Sequence, residues 1–267
     1  MPSASEILKK TELAAYLATL PPDLKNELIA EVMADEKSIQ PYPYYSLFRF
    51  SAARVGSGPY TYTVQAIQVQ AFGYKVGDDA GGAGAPGLIA TKAETNLTSG
   101  GSQTNDGADY VFNSIGFEAC PSENFSPELL LRLMRNLYAE IALSGSSLQT
   151  VGPLGDYPHG GGLYGQAAAK LTCSAADVNA SEWVSHLGIG YPSAGAARQL
   201  KTPVRWYATG KGKDSSLKFT VSNPRPIVLN AADIVVGADT FVPPATIECD
   251  FRVHLYGAQI SKRSGNI

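Results

Sequence analysis

This sequence predicts an all-β domain: a β-sandwich with one inserted helix, preceded by a helical N-terminal arm. Three observations carry that expectation. From Thr246 to Ile260 the chain alternates, with Ile247, Cys249, Phe251, Val253 and Leu255 on one side and Glu248, Asp250, Arg252, His254 and Tyr256 on the other; a period of two is that of a half-buried strand. Glycine at 27 positions and proline at 17 cut the rest into short segments with many turns. Only one internal stretch, Ser126 to Tyr138, has convincing helical spacing: Leu129, Leu130, Leu133 and Leu137 share a face, and Arg132, Arg135 and Asn136 lie opposite. The Ser126 hydroxyl can accept from the free N–H groups of a first turn, and Pro127 suits the first helical position, where no N–H is missed. The apolar face predicts a helix that plugs one end or side of the sandwich.

In chain order, residues 1–40 read as the arm and 41–267 as the sandwich domain. In the arm, Leu13, Leu17 and Leu20 follow helical spacing, Pro21-Pro22 breaks it, and Leu24, Leu28 and Val32 restart it after a cap at Asp23. Ser38 to Pro43 is expected as an extended linker, because each proline disfavours helix at the residue before it. Tyr44 to Arg54 then opens the domain as a strand. Tyr60 to Tyr74 reads as one long strand whose inward set shifts from Tyr62, Val64 and Ala66 to Ile67, Val69 and Ala71, a phase change that predicts a β-bulge. Residues 108–118 and 139–149 flank the helix as strands. Val204, Trp206 and Ala208 face Leu217, Phe219 and Val221 in an expected hairpin, and residues 226–230 and 246–258 complete eight strands.

Composition narrows the function. Charged residues are 17% of the chain and the net charge is −3; binding many phosphates needs a basic stripe, so direct sequence-specific recognition of nucleic acid is not expected. A sparsely charged, turn-rich surface suits coverage by partners, with Tyr42, Tyr44 and Tyr45 as expected contact residues. Cys120, Cys173 and Cys249 are odd in number and widely spaced, indicating neither a disulfide framework nor a zinc site. No apolar run is long enough to span a bilayer, and the N-terminus has no signal-peptide pattern, so synthesis in a cytoplasm is expected. The sequons at Asn96, Asn124 and Asn179 are read as chance matches.

Candidate chemistry is sparse. Residues 78–107 have little apolar periodicity and are expected as a long loop or a pair of short strands projecting from the sheet; Gly82 to Gly87 fits G-x-G-x-x-G, but no helix signal follows to receive a phosphate, so a solvated loop is the default. Asp78, Asp79, Asp106 and Asp109 lack the loop spacing of a calcium site. His159 stands in a Gly- and Pro-rich loop without a nucleophile or second ligand beside it, and His186 lies near Trp183 in a short helical stretch. Glu248 and Asp250 share a strand face roughly 6–7 Å apart, within the range of a glycosidase pair. A half-solvated strand presents the same pattern with its charges paired to neighbours.

Eight antiparallel strands with long connections and a helix between the third and fourth are what a jelly roll presents. In that strand order, the helical arm, the Gly- and Pro-rich loops, the low charge and the lack of an active-site motif, residues 44–258 resemble the coat proteins of icosahedral, tailless bacterial viruses. The resemblance implies a structural protein of the virion. It would self-assemble into a shell through trimers or higher capsomers and contact other virion proteins, with no catalytic, cofactor-binding or metal residues. The alternatives are a carbohydrate- or receptor-binding sandwich of a spike or fibre, and a glycan-active enzyme using Glu248 and Asp250.

Overall fold

The computed structural model describes residues 17–18, 20–34, 37–55, 61–100, 102–121, 133, 135–143, 146–154, 158–163, 198–208, 215–230 and 245–262. After helix α1 (Pro22–Ala34) come β1 (Lys37–Pro41), β2 (Tyr44–Val55), β3 (Thr61–Val64), β4 (Ile67–Ala71) and β5 (Asp109–Pro121). Then follow β6 (Tyr138–Leu143), β7 (Ser146–Pro153), β8 (Pro158–Leu163), β9 (Arg198–Trp206), β10 (Leu217–Asn223), β11 (Ile227–Asn230) and β12 (Thr246–Lys262). An eight-stranded sheet runs β11-β3-β2-β12-β5-β8, with β1 also on β12 and β9 also on β5; a four-stranded sheet runs β4-β10-β6-β7. The protein is all-β, and among the described residues every strand pairing but the parallel β5–β8 contact is antiparallel.

The core lies between the two sheets because each strand buries alternate residues. Phe48, Phe50, Ile115, Phe117, Phe251 and Val253 of the larger sheet meet Ile141, Leu143, Phe219 and Val221 of the smaller. Phe117 and Phe219, with centroids 6.0 Å apart, join the layers directly. Burying each such side chain contributes about 1.5–3 kcal/mol. The inserted helix is described only at its end, where Leu133 and Leu137 are buried in this core and Arg135 and Asn136 are exposed, as the spacing predicts. Its start, with Ser126, Pro127, Leu129, Leu130 and Arg132, lies outside the described residues.

Several expectations change. The long strand 60–74 is two strands in different sheets: Tyr62 and Val64 are buried on one side of the break, Val69 and Ala71 on the other, and Ile67 is exposed. The phase change therefore marks a crossing between layers. The single strand expected over 139–149 is two strands, β6 and β7, paired antiparallel with each other. Val204 and Trp206 do not pair with β10; they lie on β9 in the other sheet and face Leu217 and Phe219 across the core. Two apolar alternations identify two buried faces without saying whether they share a sheet. The Gly-rich stretch around His159 contains β8, which runs parallel to β5. The linker is half strand, since Lys37 to Pro41 pair with Lys262 to Ala258.

Helix α1 begins at Pro22, with the Lys25 amide donating to the Pro21 carbonyl, so Asp23 sits in its first turn instead of capping it. Leu20 and Leu28 of the N-terminal segment are buried with Val111 and Ile260, and Leu17, Leu24 and Ile39 pack around them in a second, smaller core. A bulge at the β5–β12 register shift turns Val111 to the outer face, while Tyr110 and Phe112 point inward. The helix therefore covers one end of the outer face of the larger sheet. Arg205 fastens it, with Nη1 3.0 Å from Glu27 Oε1 and Nη2 3.3 Å from the buried Asp109 carboxylate. Of the tyrosines expected as contact residues, Tyr44 is fully buried and Tyr42 packs edge-on against it at 5.1 Å, while Tyr45 is half-buried on the outer face.

Candidate functional site

Residues 72–107, between β4 and β5, form a strap whose described residues cover the open edge of β2. The Leu47 amide donates to the Glu94 carbonyl at 2.8 Å, and the Tyr45 amide donates to Asn96 Oδ1 at 3.0 Å. The Tyr74 hydroxyl shares the Leu47 N–H with Glu94, accepting from it at 3.1 Å, and donates to the Leu47 carbonyl at 2.7 Å, so the phenol supplies that carbonyl with a partner on the open edge. Burial pushes that phenol up to about 12. Asn105 accepts from Thr98 N–H and donates to the Asn96 carbonyl, holding the strap to itself.

The expectation of a solvated loop fails here, because the strap has its own core. Phe72, Ala80, Ala83, Ala85, Ala90 and Leu97 are buried with the sandwich residues. Small alanines carry little periodic signal, yet they allow the close approach this packing needs. Gly84 explains the glycine-rich motif: its φ is +84°, and a Cβ there would lie 2.1 Å from the Arg49 carbonyl. The motif brings backbone against backbone. A short 3-10 turn, Gly81–Ala83, overlaps the start of the motif, and over residues 88–100 turns and isolated bridges stand where a dinucleotide would need a helix.

The outer face of β12 presents the predicted polar row. Glu248 and Asp250 are brought together, but by an arginine: Arg49, opposite Asp250 on β2, contacts Asp250 through Nε at 2.5 Å and Nη2 at 2.9 Å, and Glu248 through Nη1 at 2.8 Å. Hydrogen bonding to Asp250 raises the Arg49 pKa above its ordinary value, against an opposing effect of burial. Two carboxylates clamped to one permanent cation are poorly suited to the split roles of a glycosidase pair, which needs one carboxyl protonated and room for a sugar between them. The arrangement is that of a cross-strand ion-pair network.

Farther along β12 the row changes character. Tyr45, Lys92, Ala93, Arg252 and His254 line an open groove of about 210 Å³ between the strand and the strap's turn at residues 91–94. Tyr45 Oη donates to the Lys92 carbonyl at 2.6 Å, and Arg252 Nη2 donates to the Ala93 carbonyl at 2.9 Å. The Arg252 guanidinium lies 5.9 Å from the Tyr45 ring centre. Tyr45 and His254 have centroids 6.0 Å apart, and His254 stacks on Tyr256 at 6.1 Å. Sequence reasoning found Arg252 and His254 as members of a polar face but missed Lys92, whose place depends on how the strap folds.

The other candidates are dispersed. The Asp78 carboxylate accepts from Lys75 N–H, Asp79 accepts from Gly81 and Gly87 N–H, and Asp109 accepts from Ala208 N–H and pairs with Arg205. These roles separate them, and among the described residues no group of three or more His, Cys, Asp or Glu could hold a metal ion. His159 lies on β8, and Trp183, His186 and Cys173 fall outside the described residues. Cys249 is buried in the main core. Among the described residues no helix is long and apolar enough to cross a membrane. No family model, curated protein or solved structure matches the chain.

Proposed function

We propose that this chain is a coat subunit of a tailless icosahedral bacterial virus, a jelly roll that assembles with copies of itself into a closed shell. The observation that carries the reading is the nested pairing of eight strands. In chain order β2, β4, β5, β6, β7, β9, β10 and β12, the first pairs with the eighth, the second with the seventh, the third with the sixth and the fourth with the fifth. β12–β5 and β10–β6 join alternate pairs into the two sheets. An antiparallel ribbon folded at its middle and then rolled gives this order, the arrangement of viral capsid domains, many lectins and cupins.

The interior favours the structural member of that group. Among the described residues rings and aliphatic chains pack between the sheets, and the void lined by Leu133 and Leu137 is about 10 Å³. Catalytic and cofactor-binding residues are not part of the reading, and the clamped state of Glu248 and Asp250 fits that. Low charge and exposed Val55, Ile67, Ile89, Tyr138 and Val228 leave apolar surface for contacts between copies. The test is negative-stain microscopy with sedimentation of the purified chain. Shells, rings or trimers are the expected outcome; a monomer at high concentration, with and without calcium, overturns the reading.

A further inference from the structure

We infer that the open edge of β1 is a strand-pairing site for the β1 of a second copy of this chain, the two strands running antiparallel about a two-fold axis. The ladder decides which backbone groups face outward. The Tyr42 amide donates to the Gly257 carbonyl at 3.0 Å, and along an antiparallel strand the residues that bond to one neighbour alternate with those that face away from it. With Ser38 opposite Ser261 and Gln40 opposite Gln259, the even-numbered residues bond to β12, so Lys37, Ile39 and Pro41 turn their backbone groups to the other side. The same parity continues into β2, where the Tyr45 and Leu47 amides point outward to Asn96 and Glu94.

The strap closes this continuous edge residue by residue and then stops. It supplies partners to Leu47, to Tyr45 and, through the Asn96 side chain, to the Pro43 carbonyl. Among the described residues nothing bonds to the outward groups of Ile39, and β12 is the only strand that β1 pairs with. Pro41 removes one donor from the row, a common way to blunt an edge, but Ile39 keeps both its N–H and its C=O. The row is its own complement. Two β1 strands in full antiparallel overlap set Ile39 opposite the second copy's Ile39, which exchange two bonds, and at each end a Lys37 N–H meets the other copy's Pro41 carbonyl. The lysines fall at opposite ends of the ribbon, so like charges are kept apart. A foreign strand would need a free edge of its own, whereas a second copy brings one, and a two-fold contact uses up both edges and leaves none for a third strand.

The pairing deepens the coat-subunit reading, resting on it for the identity of the partner, and its test needs no shells. In full overlap Ser38 of one copy stands opposite Gln40 of the other, at the closer positions of the new ladder, where side chains approach best. The full chain carrying Ser38→Cys with Gln40→Cys should therefore oxidise to a covalent dimer on non-reducing gels, while Gln40→Cys alone and the unsubstituted chain with its three cysteines should not. In the double-cysteine background Ile39→Pro removes the outward N–H and spares the β1–β12 bonds. Dimer formation should fall by about tenfold or more, because symmetry removes two bonds at once. Ile39→Val, which trims the same side chain but keeps the N–H, should leave it unchanged, and melts of both variants show that the protein is folded. No covalent dimer, a dimer from Gln40→Cys alone, or equal yields from folded Ile39→Pro and Ile39→Val would each overturn the pairing. Shells that form without the cross-link would sink the pairing and leave the coat-subunit reading standing; the cross-link without shells would do the reverse.

Discussion

The strap and the outer face of β12 make opposite impressions in the sequence and reverse them in the fold. Residues 78–107 look featureless, yet together with the Tyr74 phenol just before them they seal the edge of β2 with backbone bonds and buried alanines. The row Glu248, Asp250, Arg252 and His254 looks like chemistry, yet its first half is a cross-strand ion-pair network around Arg49. The difference lies in what holds each one. The face is secured by periodicity, which any substitution of similar polarity preserves; the strap is secured by single contacts, each of which one atom can break.

That contrast predicts unequal sensitivity. Gly84→Ala should be the most damaging of the small changes, costing at least about 2 kcal/mol, because it combines a left-handed backbone with a Cβ driven into the Arg49 carbonyl. Gly82→Ala, two residues away in open space, should be neutral or stabilising by up to about 1 kcal/mol. Urea melts of the pair measure this, and equal stabilities would mean that the strap does not lean on β2 as described.

A second effect appears only in alkali. The Tyr74 phenol titrates near 12 in the folded state against 10.0 in the unfolded chain. Its contribution is complete below pH 10 and is lost as pH rises toward 12, where the unfolded state has shed a proton that the native state still holds. The loss is about 2–3 kcal/mol across that window. Tyr74→Phe, which also leaves the Leu47 amide and carbonyl without this partner, should start less stable at neutral pH and fall less steeply above pH 10. A parallel decline of the two proteins would contradict the edge-sealing role.

The smallest effect is expected where the sequence looks most functional. Glu248→Gln with Asp250→Asn should change stability by about 1 kcal/mol or less, since partly exposed ion pairs contribute little. Loss of a glycan-cleaving activity in this folded double variant would restore the enzyme alternative.

Legibility in the sequence follows the same division. The alternation of β12 and the sidedness of Leu133 and Leu137 against Arg135 and Asn136 could be read directly, because burial repeated at a fixed interval leaves a pattern. The switch of sheets after Val64 left the right signature but was open to two geometries, a bulge or a crossing. The separation of Trp206 and Phe219 into facing layers left none, since strands are assigned to a sheet by partners far along the chain. The groove was illegible for a related reason: Lys92 reaches the neighbourhood of His254 only through the strap, and Asn96, read as a stray sequon, has its amide donating to the Pro43 carbonyl as part of that strap.

The nested pairing also sets the order in which the molecule can come into being. Strand β12 is the last of the described strands to be made, yet it lies between β2 and β5 in the larger sheet, and its Asp250 meets an arginine 201 residues earlier. At a synthesis rate of about 5–20 residues per second, β2 waits on the order of 10–40 s for its neighbour. The smaller sheet has all its strands once β10 emerges, so through that interval the nascent chain carries one layer that can be completed and one that cannot. Contacts so distant in sequence also make closure slow after release. During translation the apolar face of the smaller sheet and the unpaired edge of β2 are therefore the surfaces that must be kept from pairing with the same surfaces on neighbouring nascent chains.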